Sequence, residues 1–189
     1  MKRKLFAGAV IAICLSLIAY GTLAYFTAED TARNVITSGG IDIQLREWAD
    51  KEKTTPFPED GVSGVMPGTE VTKIVEVENT GSADAYIRVR VEKDIVLSEG
   101  TEGDPDTGLM VLDFDDTCWT LGEDGYYYYN EALKPGAVTE PLFASVCFDP
   151  GMGNLYQNST ATVSVIAQAT QVVHNGGSAL EAAGWPAKA

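Results

Sequence analysis

The side chains that could do chemistry are one histidine, His174, three cysteines, Cys14, Cys118 and Cys147, and 27 carboxylates. A single histidine excludes the two-histidine helix motif of zinc peptidases and the usual ligand sets built from several His or Cys. His174 stands in Gln171-Val172-Val173-His174-Asn175 and reads as a surface residue at a strand end. No Gly-x-Ser-x-Gly elbow and no Gly-x-x-x-x-Gly-Lys phosphate loop occur. Asp113, Asp115 and Asp116 form a carboxylate cluster, but in so acidic a chain such clusters arise by chance. Asp104-x-Asp106-x-Gly108 opens like a calcium loop, in which closely spaced carboxylates share one hard cation. It then departs from that pattern, with Leu109 at the sixth position and no Glu at the twelfth. Asp104 and Asp106 are therefore the one candidate metal site, set against a solvated acidic loop. No catalytic residue is assigned, no cofactor is expected, and the chain reads as a non-enzyme.

The elements that would carry such groups begin after an address. Lys2, Arg3 and Lys4 precede a mostly apolar run from Leu5 to Leu23, which ends in Thr22-Leu23-Ala24. A basic start, an apolar middle and small residues before the cut describe a secretory signal peptide, cleaved between Ala24 and Tyr25. The alternative is a retained anchor, since the run is long enough to span a bilayer. Cleavage removes three basic and no acidic residues. The net charge then moves from −14 over 189 residues to −17 over 165. That acidity excludes nucleic acid as a partner, because the cations that would meet phosphate are missing. After cleavage no stable membrane span is expected. Cys14 leaves with the signal, and Cys118 and Cys147 remain as an even pair in an oxidising compartment. A bond between them would close a loop worth about 3–4 kcal/mol of chain entropy. Two buried free thiols are the alternative.

Strand signals fill the rest. Ile87-Arg88-Val89-Arg90-Val91-Glu92 alternates apolar and charged residues, and Ile41 to Leu45 and Thr160 to Thr170 alternate similarly. Val71 to Glu78 is rich in β-branched residues. Leu142 to Phe148 is more continuously apolar and is expected to be buried on both faces. Gly122-Glu123-Asp124-Gly125 between two β-prone runs predicts a hairpin. In its second arm Tyr126 and Tyr128 face one way, Tyr127 and Tyr129 the other. One pair packs on the core, and the other makes a surface aromatic ladder or, alternatively, a ligand platform. The tail from Gly176 offers at most a short helix, Ser178 to Ala183. Seven to nine strands without ordinary helices predict an all-β sandwich of jelly-roll or Greek-key type. The expected organisation is a signal peptide at 1–24, an N-terminal segment at 25–40, one sandwich at 41–175 and a tail at 176–189.

Several motifs stand in a telling order. Thr22-Leu23-Ala24-Tyr25-Phe26 is followed by Ser38-Gly39-Gly40-Ile41-Asp42-Ile43. Met66-Pro67-Gly68-Thr69-Glu70-Val71 then runs into Val75-Glu76-Val77-Glu78-Asn79-Thr80-Gly81-Ser82. Asn154-x-Tyr156-Gln157-Asn158 and Ala169-Thr170-Gln171 stand near the end. In this order the chain resembles the TasA/CalY (camelysin) family of Gram-positive exported proteins processed by the signal peptidase SipW. The resemblance implies a jelly-roll domain in the extracellular matrix or at the cell surface. It also implies self-assembly into biofilm-matrix fibres, with accessory fibre subunits as possible partners. The mature N-terminus of one subunit would fill a strand position in the next, with Tyr25 and Phe26 beginning the donor and Val35 and Ile36 as apolar anchors. A monomeric adhesion or ligand-binding module is the alternative. The metallopeptidase label that camelysin carries finds no recognisable ligand set in these residues.

Overall fold

A computed structural model describes residues 40–59 and 67–186. The expected signal, its cleavage point at Ala24 and Tyr25, and the donor residues Tyr25, Phe26, Val35 and Ile36 lie outside the described residues.

Eight strands follow in chain order: β1 Ile43–Trp48, β2 Glu70–Asn79, β3 Ala85–Val96, β4 Met110–Leu112, β5 Trp119–Leu121, β6 Tyr127–Tyr129, β7 Phe143–Phe148 and β8 Thr160–Gln171. They form two four-stranded antiparallel sheets, β1-β2-β7-β4 and β5-β6-β3-β8. The chain changes sheet between β2 and β3, β3 and β4, β4 and β5, β6 and β7, and β7 and β8. This is the crossing pattern of a Greek-key sandwich, as the sequence predicts.

The alternation of β3 sets the geometry. Ile87 and Val89 face inward and are fully buried, and β3 pairs over its whole length with β8, from Ala85↔Gln171 to Val96↔Thr160. Val75, Val77, Phe143 and Val146 from the opposite sheet meet them, with Trp119 and Leu142 filling the middle. Phe114 stacks on Tyr127 with ring centroids 4.3 Å apart and meets the Phe143 ring edge-on at 5.7 Å. The Trp119 indole N–H donates to the Glu140 carbonyl at 3.1 Å, so its polar edge is satisfied inside the core.

Two elements depart from expectation, and a third, β4, has no counterpart in the sequence reading. β7 is not buried on both faces: Phe143 and Val146 are buried, while Ala144, Ser145 and Cys147 are only half-buried. Near the start of this strand Asp113 accepts from the Ala144 and Ser145 backbone N–H groups at 2.9 and 2.7 Å. β4 has only three residues and no alternation long enough to read. The tail forms successive turns rather than a helix over Ser178–Ala183, with Glu181 N–H bonding to Ser178 O and Ala182 N–H to Ala179 O. The flanking Gly177 and Gly184 leave too short a run for a helical nucleus.

Asn79 is the polar exception in the core. It is wholly buried, its Nδ2 donates to the Ala83 and Leu133 carbonyls at 2.8 Å each, and its Oδ1 accepts from Gly81 N–H. That turn brings Gly81 so near β1 that a Cβ there would sit 2.6 Å from Asp42 N and Gly40 O. Only glycine fits. Because Phe143 is buried against both sheets, Phe143→Ala should cost about 3–5 kcal/mol through lost burial and a residual cavity. Urea denaturation of the purified protein checks this as a lowered midpoint with an unchanged slope.

Candidate functional site

The chemistry-bearing residues named from the sequence are not gathered together. His174 sits on an exposed turn with φ 59°. Asp106 spends its carboxylate on the turn it starts, accepting from Gly108 N–H at 2.8 Å, and its own N–H donates to the Tyr156 hydroxyl. Asp115 likewise accepts from Thr117 and Cys118 N–H, which holds its carboxyl below the usual range despite some desolvation. Among the described residues no three His, Cys, Asp or Glu side chains converge as a metal site would need.

Cys118 and Cys147 are free thiols here, in contrast to the bond expected of them. Cys118 precedes β5 and packs against the core. Cys147 lies in β7 of the other sheet, between Val146 and Phe148, which both pack inward, so alternation turns it to the outer face. Burial, with Asp115 bonded to the thiol and adding its charge, pushes the Cys118 thiol up in pKa. That keeps it protonated at neutral pH and a poor nucleophile.

The tyrosine hairpin divides its faces as its alternation predicts. Tyr127 and Tyr129 join the core, while Tyr126 and Tyr128 lie on the outer face with Tyr86. The sequence did not foretell what covers them. The tail folds back across this face, and Ala179, Ala182 and Trp185 pack onto the tyrosines. Arg88, on the charged side of β3, is thereby only 8% exposed. Its guanidinium lies 4.0 Å from the Tyr126 ring centroid and 4.7 Å from that of Trp185. It donates to Gln168 Oε1 twice, at 2.9 and 2.7 Å, and to Asp124, the Tyr128 hydroxyl and Pro186 O. An arginine suits this place because a planar fork bonds along its edge while stacking on both faces. Asp124 is partly desolvated, which alone would raise its pKa. Bonds from Tyr128 and from Tyr126 N–H, and the charge of Arg88, outweigh this and hold it low.

The first sheet has its own cover. Residues 49–57 turn back onto β1, with Phe57 N–H bonded to Glu47 O and Ala49 N–H to Thr55 O. Beneath them Glu76, almost wholly buried, accepts from Trp48 Nε1 at 2.9 Å and from Lys53. Lys73 pairs with Glu47 at 2.8 Å under the Phe57 ring. Burial pulls the Lys73 ammonium down, and Glu47 opposes this.

The four sheet edges differ. β1 is covered at its Glu47–Ala49 end by Thr55–Phe57. β4 and β5 have three residues each. β8 has twelve, Thr160–Gln171, with no charge, proline or glycine, and among the described residues no strand pairs with its far side. β1 packs across from it. Gly40 O accepts from Ser82 N–H in the turn that leads into Ala85, and Ala85 pairs with Gln171. The chain therefore enters the sandwich at the end where β8 finishes.

The described residues thus form a two-sheet antiparallel sandwich with one long uncharged edge that no described strand covers. The chain belongs to the family described as camelysin metallo-endopeptidase, whose profile matches residues 1–108, and so falls in the TasA/CalY group of extracellular or cell-surface proteins. No curated protein and no solved structure matches the chain. Among the described residues no side chains are gathered that would fit the metal centre the family's description implies. The single histidine stands alone on an exposed turn, and the two thiols lie on different faces.

Arg88→Ala should free the tail and destabilise the fold by about 2–4 kcal/mol, from lost cation–π and charge-assisted bonds. Arg88→Lys should not restore the tail, since an ammonium cannot serve both faces and the edge. Hydrogen exchange over residues 178–186 with thermal melting checks both. Because Asp124 is held low, its contribution is present above the unfolded carboxylate pKa of about 3.9 and lost as pH falls below it. Asp124→Asn should therefore flatten the acid limb of the stability profile.

Proposed function

We propose that the exported chain is a structural subunit that polymerises into cell-surface or biofilm-matrix fibres by donor-strand exchange. The N-terminal segment 25–40 of one copy adds to β8 of the next, making the homopolymer itself the principal partner, with accessory fibre subunits joining it. The observation that carries this reading is β8. A strand of twelve residues that no described strand pairs along one side, and that carries none of the usual protective charges or prolines, is a template for another strand. Main-chain hydrogen bonds would supply the affinity, and alternate side chains entering between β8 and β1 the register. Membership of the TasA/CalY group supports the reading. The monomeric ligand-binding alternative draws less support, because the tyrosine face it would use is already occupied by the tail.

In this reading the chain is not an enzyme, and processing by a dedicated signal peptidase would expose the donor. A net charge of −17 on the processed chain opposes assembly at low ionic strength, because like charges repel beyond contact until salt screens them.

A chain beginning at Ile41 should fold but stay monomeric in size-exclusion chromatography, and electron microscopy should find no fibres. Placing charges on the edge, as in Thr162→Lys with Ser164→Lys, should abolish fibres from the full mature chain while leaving its melting temperature nearly unchanged. Fibres from either protein would contradict the mechanism. Fibre yield should rise with salt and with mild acid, followed by light scattering, and a yield indifferent to both would contradict the charge control.

A further inference from the structure

Two asparagines do the same mechanical work in this fold. Asn79 ties the β2–β3 turn through Nδ2 bonds to the Ala83 and Leu133 carbonyls. Asn175 ties the tail: its Nδ2 donates to Gln171 O at 2.8 Å, Ala183 O at 2.9 Å and Thr170 Oγ1 at 3.3 Å, and its Oδ1 accepts from Ala183 N–H at 2.7 Å. Through this latch Ala183 is fixed, and two residues later Trp185 reaches the Arg88 guanidinium.

The two asparagines have different successors. Asn79 is wholly buried and precedes Thr80, whose branched side chain shields the next amide nitrogen. Asn175 is half-buried and precedes Gly176, which is exposed and has no side chain to shield its nitrogen. This is the chain's one Asn-Gly pair. Gly176 has φ +68°, close to His174 at φ 59°, so the turn holds two left-handed residues.

We infer that Asn175 is a site of spontaneous deamidation, and that its conversion unlatches the tail from the second sheet. The Gly176 nitrogen loses its proton to water and attacks Asn175 Cγ. A C–N bond closes a five-membered succinimide as the bond to Nδ2 breaks, and ammonia departs carrying the proton. Water then opens the ring at either carbonyl, leaving aspartate or isoaspartate. The net change is one water consumed and one ammonia released, with no oxidant and no cofactor.

The product cannot hold the latch. A carboxylate has no N–H to give Gln171, Ala183 or Thr170, and it sets a negative charge against two carbonyl oxygens. Glu181, which accepts from Gly177 N–H at 3.2 Å, adds a like charge in the same turn. Isoaspartate also lengthens the backbone by one methylene, which shifts Ala183 out of register. While the latch is closed its four bonds restrain the Asn175 side chain. Reaction therefore proceeds in molecules whose tail has opened, and afterwards the tail does not re-latch. The outcome is a one-way exposure of Tyr86, Tyr126, Tyr128 and Arg88. None of this rests on the fibre reading.

The test is to hold the purified chain at mildly alkaline pH and map its peptides by mass spectrometry, with hydrogen exchange over residues 178–186. Asn175 should convert ahead of Asn158, which precedes Ser159, giving both aspartyl and isoaspartyl products, and the converted fraction should lose protection at Ala183. Asn175→Asp made directly should lose that protection from the start while the peptides of β3 keep theirs. Asn175 intact after Asn158 has reacted, or an Asn175→Asp protein with its tail as protected as the parent, would overturn the inference.

Discussion

A β-sandwich leaves the outer backbone groups of its edge strands without partners, and an unpaired strand edge recruits whatever extended chain it meets. That constraint organises this molecule. At β1 it is met by folding residues 55–57 against the strand. At β4 and β5 it is reduced by keeping the strands to three residues each. At β8 neither device is used: twelve uncharged residues stay in register with β3 on one side, and among the described residues nothing pairs with the other. A chain that is 21% charged yet places no charge along its longest edge has left that edge suited to a partner strand.

The outer faces of the sheets obey a second constraint, that a charge taken from water must be paired and hydrogen-bonded. On the first sheet Lys73 and Glu76 are buried under residues 49–57, and each has an opposite charge in contact. On the second, Arg88 lies against the rings of Tyr126 and Trp185, with Asp124 and Gln168 bonded to its guanidinium. Both covers are irregular segments, and both use a charged side chain projecting from the sheet as the fixing point.

How much of this was legible depends on the constraint each residue answers to. β3 and β8 are readable because their core-facing residues recur at every second position, and the tyrosine faces come from the same rule. β7 misled because its outer positions carry Ala144 and Cys147, which are apolar by type yet lie away from the core. Cys118 and Cys147 looked pairable by compartment and count, but they end on opposite sides of a sheet, a placement set by strand parity within the folded pair of sheets. Arg88 stands at a charged position of an alternating strand, and a tail nearly a hundred residues later in the chain helps to bury it. No local pattern encodes that contact. In hindsight Trp185 is a signal, since an isolated indole beyond the last strand needs a surface to cover.

Edge and assembly meet in the backbone of β8. If the edge accepts a donor strand, its outward amides exchange quickly in the monomer and slowly in the polymer, while the amides bonded to β3 are protected in both. Hydrogen exchange resolved along residues 160–171, before and after assembly of the mature chain, tests this most directly. New protection is expected at the alternate, outward-facing positions of β8. Fibres in which those amides exchange as fast as in the monomer would contradict it.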